Sequence, residues 1–302
     1  MTDLSARRGW LVACDLDQTL IYSRSAFRLP ADAVLPELIT VEYLDGEPLS
    51  YLTARAAEGL RELAATATLL PVTTRTLEQY RRVQLGIPAG YAIAANGGHL
   101  LLDGEIDRDW ARLVRERLAT SGRPLEDVRA IATRLAEQGS WVRTIRDADG
   151  FFVYLVATSR EVIPDLSELS ADLAGGGWTL SVQGRKVYLV PAALTKEAAL
   201  EEVQARTGIP RLAAAGDSLL DRGMLASADV AVRPRHGELH DQGFSTPGML
   251  LSSRPGLLGG EEIVELLAAL VSGMGPLVSP PLAAAGVADV PGNPTSFTRS
   301  GG

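Results

Sequence analysis

Near its amino terminus the chain reads Trp10-Leu11-Val12-Ala13-Cys14-Asp15-Leu16-Asp17, an apolar run that ends in two carboxylates two positions apart. A run so short and so uniformly apolar predicts a strand buried on both faces, the pattern of a parallel sheet. In open α/β sheets the carboxyl ends of the strands are where ligands bind. Buried carboxylates are costly there unless something compensates for them, and a divalent cation is the usual compensation. The pair therefore sets a question that the rest of the chain has to answer.

The 302 residues are enough for one large or two modest domains. With 46% hydrophobic and 22% charged residues the composition is that of a globular protein. A net charge of −8, with no run rich in Lys and Arg, argues against a nucleic-acid partner. The single cysteine, Cys14, lies inside the first apolar run, reads as a small core residue, and suits a reducing compartment. Residues 1–8 are polar and do not resemble a signal peptide. Residues 263–271 are apolar but too few to span a bilayer. The expectation is a cytoplasmic protein with no membrane partner; nothing in the sequence sets its oligomeric state.

After the first strand, residues 39–43 and 49–52 flank Asp45-Gly46, a hairpin signal. Helical spacing over 54–65, a buried strand over 68–72, a helix over 77–85 and a short strand over 91–95 follow, and residues 99–102 begin another hairpin. This βαβαβ rhythm predicts a parallel sheet with right-handed crossovers. From about residue 107 the texture changes: helices over 110–120 and 125–138, strands over 141–146 and 151–157, a helix over 163–173, and strands over 178–182 and 186–190. Such a stretch predicts an α+β module inserted into the sheet. The βα rhythm then resumes with a helix over 196–206, a strand over 212–215, a helix over 220–226, a strand over 230–232 and a last helix over 260–272. The expected division is residues 1–105 and 192–274 for the α/β core, 106–191 for the inserted module and 275–302 for a Pro- and Gly-rich disordered tail.

Four pieces fall at strand ends or beside them: Asp15 with Asp17, Thr73, Lys196, and the acidic pair of Gly216-Asp217-Ser218-Leu219-Leu220-Asp221. Phosphoryl transfer to a carboxylate needs such a set. It needs a nucleophile and a general acid/base, a hard cation held by oxygens, and a hydroxyl and an ammonium to hold the phosphoryl oxygens. An aspartate and a phosphate dianion otherwise repel, by about 4 kcal/mol per unit-charge contact at an effective dielectric near 20. The histidines His99, His236 and His240 share no metal-ligand spacing and read as surface or loop residues.

In order and spacing these pieces resemble the haloacid dehalogenase (HAD) superfamily of phosphatases, whose signature is DxDxT after the first strand, Ser or Thr after the second, a Lys, and a GDxxxD loop. Asn96-Gly97-Gly98 and Lys196-Glu197-Ala198-Ala199-Leu200 are similar to the NG and KGxAL segments of the Cof-type and sucrose-phosphatase-like members with a large inserted cap. The resemblance implies a Rossmann-like α/β core with an α+β cap, and Mg²⁺-dependent hydrolysis of a small phosphorylated metabolite, a sugar phosphate first. It assigns Asp15 as nucleophile, Asp17 as acid/base, Thr73 as a phosphoryl ligand with Thr74 as its fallback, and Lys196 as the motif cation. Mg²⁺ would be held by Asp15, the Asp17 carbonyl, Asp217 and Asp221. Substrate contacts are expected among Thr74, Arg75, Asn96 and the cap residues Arg143, Arg146 and Lys186. The chain departs from the pattern at Thr74, Glu197 and Leu220, where Gly, Gly and Asn are usual.

Three other readings compete. A phosphosugar mutase would share the nucleophile. A phosphoprotein phosphatase is suggested by DLDQTL, similar to the DLDETL of capless members, but the inserted module would cover the site. A non-catalytic phosphate-binding partner protein is disfavoured by the cost of gathering carboxylates without a use for them.

Overall fold

The computed structural model describes residues 9–88 and 90–273; the predicted tail over 275–302 lies outside them. Strand β1 (Trp10–Asp15) occupies the middle of an eight-stranded sheet. It pairs in parallel with β4 (Thr68–Val72) on one side and β12 (Arg211–Ala215) on the other. Its alternation explains the apolar run. Leu11 and Ala13 point into one core cluster and Val12 and Cys14 into a second on the opposite face, so neither face has room for a polar side chain.

Between β1 and β4 come the hairpin β2 (Leu38–Leu44) and β3 (Glu47–Thr53), which forms its own small sheet, and helix α1 (Ala54–Thr66). Thr53 caps α1 by accepting from the Ala56 amide at 3.0 Å. Beyond β4 lie α2 (Leu77–Arg81), β5 (Tyr91–Ala94), β6 (His99–Leu102) and β7 (Glu105–Ile106), the last two running antiparallel at the sheet edge.

The inserted module follows: α3 (Arg108–Ala119), α4 (Leu125–Gln138), β8 (Val142–Ala148), β9 (Phe152–Ala157), α5 (Ser167–Gly175), β10 (Trp178–Gln183) and β11 (Lys186–Pro191). Its four strands form an antiparallel sheet in the order β10-β11-β9-β8. The core resumes with α6 (Lys196–Thr207), β12, α7 (Arg222–Ser227), β13 (Val230–Arg233), α8 (Glu238–Asp241), β14 (Leu250–Leu251) and α9 (Gly256–Val271). The main sheet reads β14-β13-β12-β1-β4-β5-β6-β7 and is parallel from β14 to β5. Helices α1 and α9 cover one face through Leu60, Leu63, Ile263 and Leu267; α6 and α7 cover the other through Leu200, Val203 and Met224. The fold is thus the expected α/β core with an inserted α+β module.

Several element ends differ from the sequence reading. The helix predicted over 77–85 stops at Arg81, because the Gln84 amide turns to the Val41 carbonyl at 2.7 Å. The helix predicted over 163–173 starts at Ser167, whose amide is claimed by Asp165 at 3.0 Å. The helix predicted over 220–226 opens as a 3₁₀ turn over Leu219–Asp221, since the Asp221 carboxylate turns back onto its own loop. The short α8 and β14 carry too few apolar residues to leave a periodic signal.

Side-chain hydrogen bonds fasten the inserted sheet onto the core. Glu238 accepts from Ser181 Oγ at 2.6 Å, the Val182 amide at 3.2 Å and the Leu219 amide at 2.9 Å. Asp149 accepts from the Leu77 amide at 2.7 Å and meets His99 Nε2 at 3.1 Å. The register Ser181↔Tyr188↔Tyr154↔Arg146 places these four on one face of the inserted sheet, and Tyr154 reaches the core through Gln79 at 3.0 Å.

No helix among the described residues is long and apolar enough to cross a membrane. The start of α6 is set by Gly97, which has φ +98° and whose missing Cβ would lie 2.3 Å from the Thr195 carbonyl oxygen. Gly97→Ala should therefore cost more than the roughly 1–2 kcal/mol of a left-handed alanine. Gly104→Ala is the control, with φ +84° but nothing within 4 Å of its Cβ, and should cost that amount alone. Urea unfolding of the two variants compares them directly; equal losses would remove the packing role given to Gly97.

Candidate active site

Four buried side chains from three parts of the core converge at the carboxyl end of β1. Asp15 closes that strand, Lys196 opens α6, Asp217 follows β12, and Asp221 ends the 3₁₀ turn after it. Lys196 Nζ donates to Asp15 Oδ1 at 2.6 Å and to Asp221 Oδ1 at 2.5 Å, and all four residues are less than 5% exposed. A cation at a helix start opposes the macrodipole by about 0.3–1 kcal/mol; two buried carboxylates outweigh that. The other Asp221 oxygen accepts from the amides of Asp217 and Ser218 and from Ser218 Oγ, at 3.1, 2.9 and 2.7 Å. Asp221 thus shapes the loop as well as pairing with the lysine.

Carboxylate oxygens of Asp15, Asp217 and Asp221 lie within 4.8 Å of one another. Burial pushes the Asp15 carboxyl up to about 7 against the pull of the Lys196 ammonium, and the charge of Asp221 adds to the rise. Burial, with Asp15 and Asp221 beside it, holds Asp217 well above the usual carboxylate range. Three ionised acids and one ammonium would leave the cluster two charges negative. No hydrogen bond from the described residues reaches the Asp217 carboxylate, and Gly237 leaves it room, since a Cβ there would lie 2.6 Å from Asp217 Oδ2. An all-oxygen donor set with this charge fits a hard divalent cation.

Asp17, half-buried, belongs to a second network. Arg75 clasps it with two parallel bonds, Nε to Oδ2 at 2.6 Å and Nη2 to Oδ1 at 2.8 Å. Burial alone would raise the Asp17 carboxyl; the guanidinium overrides this and holds it well below the ordinary range. Arg75 also pairs with the fully buried Glu42, Nη1 to Oε2 at 2.8 Å. Glu42 was missed in the sequence because a bulge in β2 turns both Val41 and Glu42 inward, against strict alternation.

The loop after Asp17 is braced by a histidine. Gln18 adopts φ 62°, and its carbonyl accepts from His236 Nε2 and from Tyr22 Oη, each at 2.8 Å. The Gly256 amide donates to His236 Nδ1 at 2.9 Å, which makes Nδ1 the acceptor and places the proton on Nε2. Burial pulls the imidazole down to about 4, so it is neutral. His236, read from the sequence as a surface or loop residue, lies in the loop before α8 but is buried there, 4% exposed, and ties the DxDxT loop to α9.

The other residues singled out from the sequence divide. Thr73 follows β4 and is fully buried, its Oγ1 accepting from the Arg75 amide at 3.2 Å. Thr74 is buried and lies beside Tyr188 of the inserted sheet. Asn96 sits in the left-handed region and spends its side-chain amide on the Leu194 carbonyl at 2.7 Å, clasping the approach to α6. Arg143 and Arg146 are exposed on the edge strand β8 and make no ion pair with a described residue. Lys186 is half-buried on the face toward the site, its Nζ 5.7 Å from the Tyr154 ring centre and 6.0 Å from that of Tyr188.

No protein-family model and no curated protein matches the chain. Solved structures do. The sucrose-phosphatase of Synechocystis, solved with sucrose and phosphate, is 17% identical with a TM-score of 0.56, over 86% of this chain and 98% of that one. A phosphatase of the haloalkanoate (HAD) enzyme superfamily from Bacteroides thetaiotaomicron is 13% identical with a TM-score of 0.53, over 85% and 93%. The trehalose-6-phosphate phosphatase C-terminal domain of C. albicans is 16% identical with a TM-score of 0.51, over 88% and 93%. At such identities the likeness is one of fold: the chain shares with these phosphatases an α/β core with an inserted α+β module.

The acidic cluster makes a prediction that needs no substrate. Mg²⁺ at about 100 times its dissociation constant should stabilise the protein by about 2.7 kcal/mol, read as a rise in Tm, and Asp217→Asn should lose most of that rise. Ligation requires ionised carboxylates. Because the Asp15 carboxyl titrates near 7, protons compete with the cation below that pH. The Mg²⁺-dependent rise should accordingly be larger at about pH 8 than at about pH 6. A rise retained by Asp217→Asn, or one that grows on acidification, would contradict the site.

Proposed function

We propose that the protein is a Mg²⁺-dependent phosphatase of a small phosphorylated metabolite, with sugar phosphates the leading class, working through an aspartyl-phosphate on Asp15. The observation that carries this reading is the buried convergence of Asp15, Asp217 and Asp221 around Lys196. The fold neighbours support it: one is a sucrose-phosphatase solved with sucrose and phosphate, another a trehalose-6-phosphate phosphatase domain.

In this reading Asp15 attacks phosphorus while Lys196 holds its carboxylate in place and offsets its charge. Asp15, Asp217, Asp221 and the Asp17 carbonyl would hold the cation, which offsets the charge on the phosphoryl oxygens. Thr73, with Thr74 beside it, holds a phosphoryl oxygen. Asp17, which Arg75 holds ionised in this structure, takes up the proton of a monoanionic phosphate ester, gives it to the departing oxygen and later takes one from the attacking water. The P–O bond to the leaving group breaks as the Asp15 Oδ–P bond forms; water then breaks the latter and releases phosphate.

Residues 106–191 act as the cap, closing over the site and opening for product release. The cap sheet over Asp17 favours a small substrate over a folded phosphoprotein, and Lys186 with Tyr154 and Tyr188 offers the non-reacting part of that substrate a cation and two rings. The buried Cys14 and the lack of a disulfide partner fit a cytoplasmic protein.

The test is phosphate release with Mg²⁺ across a panel of phosphorylated metabolites and an aryl phosphate. Asp15→Asn should fall by at least about 10³-fold, on the scale of losing a nucleophile. Wild-type protein inert toward every member, or Asp15→Asn retaining activity, would overturn the proposal.

A further inference from the structure

A carboxylate with no exposed surface, placed on a hairpin outside the main sheet, demands a physical reason. Glu42 is such a group. Its Oε2 accepts from Arg75 Nη1 at 2.8 Å and from Ser50 Oγ at 2.6 Å, and its Oε1 meets Arg82 at 3.3 Å. For stability alone an apolar side chain would serve as well or better, because the desolvation of a buried ion pair offsets most of its attraction. The bulge in β2 sends neighbouring Val41 into the apolar core, so the strand already has its packing residue.

We propose that Glu42 is a positioning residue for the general acid, holding Arg75 so that the guanidinium fixes the Asp17 carboxyl toward the leaving-group oxygen. The inference rests on the reading of Asp17 as the acid/base of a phosphatase. Arg75 is planar and is held on two edges by two carboxylates: Nε and Nη2 on Asp17, Nη1 on Glu42. Ser50 Oγ, 3.3 Å from Nη2 and bonded to Glu42, joins the two edges. A guanidinium held in this way cannot turn about its long axis, and its two parallel bonds fix the plane of the Asp17 carboxyl and the lone pairs left free. Without Glu42, Arg75 keeps its charge but loses the anchor that defines its direction. The hairpin β2–β3 thereby becomes part of the active site although it carries none of the four motif pieces.

The experiment separates positioning from mere stability by the basicity of the leaving group. A well-placed acid matters most when the departing oxygen is a strong base, so phenyl phosphate depends on it more than p-nitrophenyl phosphate, an ester of similar size. For Glu42→Gln, kcat/KM toward phenyl phosphate should fall on the order of tenfold or more, part of the roughly 10²–10⁴ that acid catalysis contributes. Toward p-nitrophenyl phosphate it should fall less than about threefold, and Asp17→Asn should show the same selectivity more strongly. Ser50→Ala, which loosens the same anchor without unpairing a buried charge, should shift the ratio in the same direction and decides the matter if Glu42→Gln does not fold. Equal losses on both esters, or no loss, would overturn the role of Glu42 while wild-type turnover still supported the phosphatase reading. Wild type that cleaves neither ester would remove that reading and this inference together.

Discussion

Everything in this structure turns on one buried ammonium between two buried carboxylates. Lys196 joins the end of β1 to the turn after β12 from a helix that follows the inserted module in the chain. Removing one member of such a group costs about 3–5 kcal/mol because it strands the others in a poor solvent for charge. The ends of three chain segments must therefore meet for the core to be stable. The backbone around Lys196 is built accordingly: Gly97 lets the Thr195 carbonyl approach, Asn96 ties down Leu194, and the indole of Trp110 bonds the Gly97 carbonyl at 2.8 Å. The same meeting leaves Asp217 without a hydrogen-bond donor among the described residues, an arrangement that favours a cation over a closed fold.

Around this centre lies a second, more nearly balanced network of Asp17, Arg75, Glu42 and Arg82. Two acids face two guanidiniums, and one of the acids comes from a hairpin that has no place in the main sheet. The inner cluster carries excess negative charge and is suited to a metal. The outer one is near neutrality and is suited to holding a carboxyl group in a fixed direction. The cap meets the outer network from above, through Tyr188 at Thr74 and Lys186 between its two tyrosines. The Asp17–Arg75 pair and the inserted sheet therefore share one wall of the site.

The parallel sheet was legible because its strands are buried on both faces and advertise themselves as short apolar runs, as Trp10–Asp15 does. The inserted module was legible because its helices and hairpins break that rhythm. Asp15, Lys196, Asp217 and Asp221 stood out by their order and spacing, and the fold brings them together. Glu42 did not stand out, since a bulge rather than alternation decides which way it faces. The burial of His236, read as a surface or loop residue, left no trace because a lone histidine carries no signal of the Gln18 carbonyl and Gly256 amide that hold it. Arg143 and Arg146 stood as candidates equal to Lys186, and strand order and burial separate them: β8 is an outer edge of the inserted sheet and leaves both arginines exposed, whereas β11 lies inside it and half-buries Lys186.

The central claim is that Asp15 carries the phosphoryl group between substrate and water. Rapid acid quench of wild-type protein turning over an aryl phosphate with Mg²⁺, followed by peptide mass spectrometry, reads it directly. The expected result is a phosphoryl adduct on Asp15 that hydroxylamine removes and that Asp15→Asn never forms. An adduct on another residue, or phosphate release at full rate with Asp15 never modified, would contradict it.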